Sequence, residues 1–417
     1  MRIRYTTEKN GRPVKKAEVY TQNEHAIKLS DVDTDAIYIV ERLRANGCET
    51  YIVGGAVRDL ILGKIPKDFD IVSEASPSKI KKVFRNARII GRRFRLVHVY
   101  FGKKIFEVST FRSLKDGPTS NTFGTIEEDV LRRDFTINAL FYDPCNQIVV
   151  DYVGGMRDIR EKRIRPIIPL NLIFKDDPVR MIRAVKYAAM AGFKLPIKIR
   201  WKLKQESVLL EKISPSRLTE EILKIIHSAQ ADRIVEALDA VGLYGYLQPN
   251  AAELMKEDPA YKMRYLKGFQ DLAQDESEQG DSTLQIAAMI RDYIEGLMDW
   301  NAVGPENIKT AFAAARKFIL PMNPPRLALD RAIRLIFSEH GITVKKSRFL
   351  DRVKSLSRRV PEQEEGSASE PLKKHARNRR RSKETPAQSS VSAAAEETLP
   401  PVRYTGLEKP PQPVSDS

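Results

Sequence analysis

The stretch Ile52-Val-Gly-Gly-Ala-Val-Arg-Asp-Leu-Ile-Leu-Gly-Lys-Ile-Pro-Lys-Asp-Phe-Asp-Ile-Val72 decides the fold of the first half of the chain. The β-branched and aromatic residues over 50–53 predict a strand, and Gly54-Gly55 breaks it. Residues 56–62 read as a helix ended by Gly63, and 68–72 as a second strand. Side chains alternate across a strand, so Asp68 and Asp70 share one face while Phe69 takes the other. Two carboxylates that close repel each other unless a cation neutralises them. A divalent ion with oxygen ligands, such as Mg²⁺, does this and keeps positions open for phosphate oxygens. An isolated Asp-x-Asp is more often a turn or a surface pair. Here a glycine turn precedes it, where the backbone can approach an anion and free N–H groups at a helix start can hold a triphosphate.

Further candidates lie on either side. Ser30, Asp31 and Asp33 cap a helix with Ala36, Ile37, Val40 and Leu43 at helical spacing, ending at Asn46-Gly47. Ser76-Pro77 opens another helix, and 93–100 with 104–109 read as a hairpin. Arg58 is a candidate phosphate ligand, with Asp59 as an ion-pair or capping partner. Glu107 stands among apolar neighbours in a strand, where burial demands a cation or a partner such as Arg112. In Leu131-Arg-Arg-Asp-Phe-Thr-Ile-Asn-Ala-Leu140, Arg132 and Arg133 suit phosphates and Asn138 suits a ribose or phosphate. Asp134 is either a further acid or the cap of a helix over 135–140.

Beyond residue 166 the strand signal fades, and helical spacing marks 176–191, 216–227, 233–241 and 281–298. The chain therefore divides into a polar, irregular arm (1–24), an α/β head with a small mixed sheet (25–165), a helical neck (166–228), a helical body (229–360) and a tail (361–417). The tail is rich in Pro, Ser, Ala and Glu and reads as disordered. It carries nine basic and nine acidic residues, so the whole net charge of +16 falls in residues 1–360. Such an excess predicts a polyanionic partner. Within the tail, Lys373, Lys374, Arg377, Arg379, Arg380 and Arg381 form a basic cluster, either a solubilising run or a nucleic-acid arm. No apolar run reaches the roughly 20 residues of a bilayer span. The first residues lack the apolar stretch of a secretory signal. Two cysteines without ligand spacing and five scattered histidines argue against a disulfide framework or a histidine metal cluster, and predict a reducing, cytoplasmic setting.

Taken together, these residues resemble the nucleotidyltransferase superfamily that includes DNA polymerase β, and within it the bacterial poly(A) polymerase and tRNA CCA-adding group. The resemblance rests on ordered motifs: Gly54-Gly-Ala-Val-Arg-Asp59 with Asp68-Phe-Asp70, Arg132-Arg-Asp-Phe-Thr-Ile-Asn-Ala139, and Asp151-Tyr-Val-Gly-Gly-Met-Arg-Asp158. Asp176-Asp-Pro-Val-Arg-Met-Ile-Arg-Ala184 and Ile213-Ser-Pro-Ser-Arg-Leu-Thr-Glu-Glu221 complete the set. Two departures stand out: Asp176-Asp177 where the family often has Glu-Asp, and Ser216-Arg217 where it often has Glu-Arg. The resemblance implies attack of an RNA 3′-hydroxyl on the α-phosphorus of ATP, with two Mg²⁺ ions on Asp68 and Asp70 and release of pyrophosphate. It ranks Asp134 with the catalytic acids, while Glu107 on the neighbouring strand is an equal candidate for the third. It implies that Asp177 and Arg180, three apart on one helix, read the edge of the incoming base, with Arg183 on the next turn reaching base or phosphates.

The pattern Gly91-Arg-Arg-Phe-Arg-Leu-Val-His98 looks like the poly(A) polymerase version of its strand, and Arg92, Arg93 and Arg95 suit RNA phosphates. The expected activity is template-independent addition of AMP to RNA 3′ ends (mRNA, small RNA or tRNA), in RNA processing and turnover alongside RNA-decay machinery. The alternatives are tRNA CCA addition and, outside the enzymes, an RNA-binding protein with an inactive head.

Overall fold

The computed structural model describes residues 2–7, 13–91, 96–113, 122–272 and 282–342. Arg92, Arg93, Arg95, the basic cluster from Lys373 to Arg381 and the whole 361–417 segment lie outside the described residues. Among the described residues, nine strands build the head: β1 (Arg2–Thr7), β2 (Pro13–Thr21), β3 (Thr50–Val53), β4 (Asp70–Ser73), β5 (Ala87–Ile90), β6 (Leu96–Phe101), β7 (Lys104–Thr110), β8 (Leu140–Asp143) and β9 (Ile148–Asp151). They form one sheet ordered β1-β2-β9-β8-β3-β4-β7-β6-β5. The β4–β7 pair is parallel and the other neighbours are antiparallel, so the sheet is mixed.

The run at 50–53 is buried throughout because both faces of β3 are covered. Ile52 packs with Ile71, Val108 and Tyr142 beneath the Thr34–Ala45 helix. Tyr51 and Val53 pack on the other face with Val72, Phe141 and Val150, under Ile126 and Val130 of the Ile126–Leu131 helix. Asp33 caps the Thr34–Ala45 helix by accepting from the Asp35 N–H at 2.8 Å.

Several expectations are corrected. The arm expected to be irregular holds β1 and β2, which extend the sheet beyond β9. Their period-2 pattern is masked by charge, yet Ala17 and Val19 turn inward and are buried. The helix expected over 135–140 is a single 3-10 turn, Thr136–Asn138, running into β8. Leu140, Phe141 and Tyr142 are fully buried in the sheet, and tertiary packing overrides the short helical pattern. Residues 87–90 form the outer strand β5.

The helical half follows, from Ile173–Asp176, Val179–Ala191, Ile197–Glu206 and Pro215–Ile226 to Arg326–Glu339. Its buried residues join those of the head in one continuous core. The helix expected over 176–191 is broken at Asp177-Pro178. A residue before proline is pushed out of the helical region, and Asp177 is extended (φ −147°, ψ 99°). Among the described residues no helix is long and apolar enough to cross a membrane.

Candidate active site

The glycine turn and the strand ends converge on a cleft of about 270 Å³ lined by Gly54, Gly55, Asp70, Arg132, Arg133, Asp134, Asn138, Asp177, Arg180, Arg183 and Tyr187. Gly54 is required there by its backbone. Its φ of +74° belongs to glycine, and the residue sits in contact range of Asp70, since a Cβ on it would meet Oδ2 at an ordinary 3.5 Å.

β4 starts at Asp70, so Asp68 stands in the loop just ahead of the strand rather than within it. The alternation persists nonetheless, with Phe69 buried between the exposed Asp68 and Asp70. Two lysines strap this loop to the helical half: Lys64 donates to the Met190 carbonyl (2.5 Å) and Lys67 to the His227 carbonyl (3.0 Å). Both carbonyls lie at helix C-terminal ends, where cations are favoured.

In the parallel pair, Ile71 faces Val108, which sets Asp70 beside Glu107 one residue earlier. Glu107 is half exposed and 3.6 Å from His98, so it avoids the burial cost expected for a strand glutamate. Although Asp70 opens to the cleft, burial among its neighbours pushes its carboxyl up to about 6. Glu107 and Asp68 add to the rise, and Arg133 and Lys224 oppose it. Among the described residues, no group of three His, Cys, Asp or Glu side chains could hold a metal ion by itself. A solvent-facing set of mutually repelling carboxylates still fits a hard divalent cation that completes its shell with water and phosphate oxygens.

Asp134 has different surroundings. Its Oδ1 accepts from the Phe135 N–H (2.8 Å) and Asn138 Nδ2 (3.5 Å), and Oδ2 lies 3.5 Å from Arg183 Nη1. It is thus committed to local backbone and to the helical wall. Arg58, expected on phosphates, is buried beneath the cleft. It forks onto Asp59 (2.9 and 3.0 Å), donates to Asn138 Oδ1 (2.9 Å) and lies 5.2 Å from the Tyr187 ring. A guanidinium so engaged positions Asn138 and is not offered to a ligand. Arg133 does line the cleft, held by Asp129 Oδ2 at 2.8 Å and by the Asn138 carbonyl at 3.2 Å. Burial, with Arg112, Arg133 and Arg180 close by, pulls Arg132 below the usual arginine range. Such a concentration of positive charge suits a polyphosphate.

Asp177 and Arg180 both reach the cleft, but from a helix break rather than from one helical face. Asp177 Oδ1 accepts from the Val179 N–H (3.1 Å), and Oδ2 meets Arg217 Nη2 at 2.5 Å. Arg180, in the first turn of Val179–Ala191, pairs with Asp176 through Nη1 and also reaches the Ile173 carbonyl (3.4 Å). The two residues expected on one helix are thus separated by the break, and each has its own partner, Asp176–Arg180 and Asp177–Arg217.

Arg183 lies between Asp134 and Glu221 (3.4 Å), and the neighbouring Tyr187 phenol, with those two carboxylates and Asp177, holds its guanidinium above the usual range. Glu221 is buried with Lys186 (2.9 Å); burial alone would raise it, but Lys186, Arg183 and Lys224 bring its carboxyl below the usual range.

The sequence did not place Tyr187, Arg217, Glu221 or Lys224 in the site. The last motif contains Arg217 and Glu221, but nothing in one dimension says that they cross to Asp177 and Arg183. The Asp151–Asp158 motif also gains a physical reason. Asp151 accepts four backbone N–H bonds, from Val153, Gly154, Gly155 and Met156. Asp158, fully buried, accepts from Thr136 Oγ1 (2.6 Å) and holds Arg163 and Arg165. A Cβ on Gly155 would fall 2.3 Å from the Thr136 carbonyl oxygen. The motif is a clamp on the 3-10 turn that carries Asn138.

A mixed-sheet head with Asp70 at a strand start and a glycine turn faces an arginine-rich helical wall, an arrangement similar to that of nucleotidyltransferase heads joined to a helical region. Residues 50–165 match the family model described as "Poly A polymerase head domain", and 192–255 the one described as "Probable RNA and SrmB- binding site of polymerase A". Poly(A) polymerase I of Salmonella typhi is 40% identical over 256 residues, covering 58% of this chain and 55% of the relative. The CCA-adding enzyme of Bacillus pumilus is 34% identical over 222 residues, covering 52% and 55%. The Bacillus stearothermophilus CCA-adding enzyme in complex with CTP superposes with a TM-score of 0.51 at 25% identity, covering 77% of this chain and 87% of that one. In these stretches the chain is similar to the bacterial poly(A) polymerases and CCA-adding enzymes. It spans about half the length of the curated relatives it matches.

Proposed function

We propose that this chain is a template-independent poly(A) polymerase, extending RNA 3′ ends with AMP from ATP and releasing pyrophosphate. The observation that carries the reading is the cleft itself: Asp70, backed by Asp68 and Glu107, faces Gly54 across from Arg132, Arg133, Arg180 and Arg183. Identity of 40% to poly(A) polymerases against 34% to a CCA-adding enzyme supports the choice of ATP alone.

In this reading Asp68 and Asp70 would hold Mg²⁺, which supplies Lewis acidity to the attacking hydroxyl and to the leaving phosphate oxygen. The position of Glu107 beside Asp70 favours it over Asp134 as the third carboxylate. The 3′-oxygen forms a bond to the α-phosphorus as the bond to the β-phosphate oxygen breaks. Gly54 and Gly55 let the triphosphate approach the backbone, and Arg132 and Arg133 neutralise it. Asn138, fixed by Arg58 and Asp134, orients the ribose or phosphate.

Each carboxylate oxygen of Asp177 retains acceptor capacity beside its present partner. It would accept from the adenine amino group while Arg180 donates to the adjacent ring nitrogen. Uracil and guanine present an oxygen where this carboxylate needs a donor. The RNA would meet the helical region, and the free thiols Cys48 and Cys145 suit a cytoplasmic setting.

The test supplies a tRNA lacking its CCA end and an unstructured RNA, with ATP alone or with ATP and CTP. Long ATP-only tails on both are expected. CTP incorporation followed by termination would replace this reading with CCA addition, and no incorporation at all would favour an RNA-binding protein with an inactive head.

A further inference from the structure

Away from the cleft, the Ile197–Glu206 helix carries apolar residues on two sides. Ile199 and Leu203 are buried in the core, as expected of an inner face. Ile197 and Trp201 are 82% and 65% exposed on the other side, although each is a large apolar side chain. With Leu170, Asn171, Lys198 and Lys202 they line an open groove of about 630 Å³.

At 3.6 residues per turn, Ile197 and Trp201 form one stripe. Lys198 and Lys202 run along one flank of it, and Arg200 and Lys204 along the other. Lys202 pairs with Glu206 at 2.8 Å. Lys198, Arg200 and Lys204 have no ion-pair partner among the described residues. The site already described uses none of these side chains.

The helix lies within residues 192–255, the stretch similar to a probable RNA-binding site, and from the pattern on its outer surface we infer how it would hold RNA: an unpaired base stacks on Trp201 while its phosphates lie along the flanking lysines and arginine. An apolar stripe with cations on both sides complements a ligand whose flat apolar units alternate with negative charges. Single-stranded RNA has that chemistry, and an indole face accepts any base. An apolar protein helix would bury Ile197 and Trp201 but leave the cations on both flanks uncompensated. The inference rests on the reading of RNA as substrate. It places RNA on the outer surface of the helix that follows the Arg180-bearing Val179–Ala191 segment.

Binding of a labelled oligo(A) to the full chain, measured by anisotropy without ATP, tests this independently of polymerisation. Trp201→Ala is expected to weaken binding on the order of tenfold, and Trp201→Phe to retain most of the affinity. Lys198→Ala with Lys202→Ala should reduce the salt slope by about 1.4, at ~0.7 for each single-strand phosphate left without its lysine. A blunt RNA duplex offers phosphates but no free base, so Trp201→Ala should barely affect its binding. Unchanged oligo(A) affinity in Trp201→Ala overturns the inference, as does an equal loss on the duplex. If Trp201→Ala spares RNA binding but abolishes self-association or binding to anionic vesicles, the groove is a protein or lipid contact instead.

Discussion

On the sheet side of the cleft, Asp70 is crowded by Glu107 and Asp68, and its carboxyl is pushed up to about 6. On the helical side, Arg180 holds Asp176, Arg217 holds Asp177, and Arg183 lies between Asp134 and Glu221. One wall is electrostatically unsatisfied and the other is internally matched. An unsatisfied carboxylate set gains most when a cation and phosphates arrive, which is where chemistry benefits. A matched wall keeps its shape whether or not a ligand is present, which is what discrimination among bases requires. Substitutions on the sheet side should therefore cost rate at little cost in stability, and buried groups behind the helical wall should do the reverse.

The sharpest test is Asp70→Ala. We expect nucleotide incorporation to fall by about 10³-fold or more, with oligo(A) binding and the urea midpoint nearly unchanged. Equal activity in that variant would remove the assignment of Asp70. On the other wall, Glu221→Ala should leave Lys186 as a buried cation without its carboxylate and Arg183 with Asp134 alone. A loss of about 3 kcal/mol in urea unfolding is expected. A loss below ~1 kcal/mol would mean that the wall is not held together from behind.

Arg217→Ala touches the same wall from a half-exposed position. It should change the ATP preference over other nucleotides by about tenfold or less, measured by competitive incorporation, with little change in stability. An unaltered preference would separate Arg217 from base choice and leave Asp177 held sufficiently by the Val179 N–H.

The smallest effect concerns a group outside both walls. His25 is buried, its Nε2 donating to the Gln147 carbonyl (3.0 Å) and its Nδ1 accepting from the Ile27 N–H (3.0 Å). Burial lowers its proton affinity, so the unfolded chain takes up the proton first as pH falls. Stability should be complete above the unfolded value of roughly 6.5 and decline below it. Thermal midpoints from pH 7.5 to 5.5 should show this decline in the wild type and a flatter profile in His25→Gln.

Much of the head was legible because its signals are local. The β3 run, the Gly54-Gly55 turn, the alternation around Phe69 and the Asp33 cap each act within a few residues, and all recur in the structure. The weaker readings failed where a partner far along the chain decides. β1 and β2 become strands through pairing with each other and with β9. The helix expected over 135–140 gives way to a 3-10 turn and the start of β8, because the sheet buries Leu140 and the residues that follow it. Arg58 has the charge for a phosphate, but Asp59 and Asn138 had already claimed it.

The sequence by itself determined which chemistry is present: a glycine turn ahead of two aspartates, ordered motifs carrying arginines and carboxylates, and a positive excess suited to a polyanion. Those are properties of residue type and short spacing, which folding does not alter. Only the tertiary structure decided how each charge is employed. It set Glu107 rather than Asp134 beside Asp70, sent Arg217 across to Asp177, buried Arg58, and left Trp201 exposed between cations. The reason is physical: the strength of a charge depends on its burial and on neighbours within a few ångströms, and in this chain those neighbours are brought together by folding.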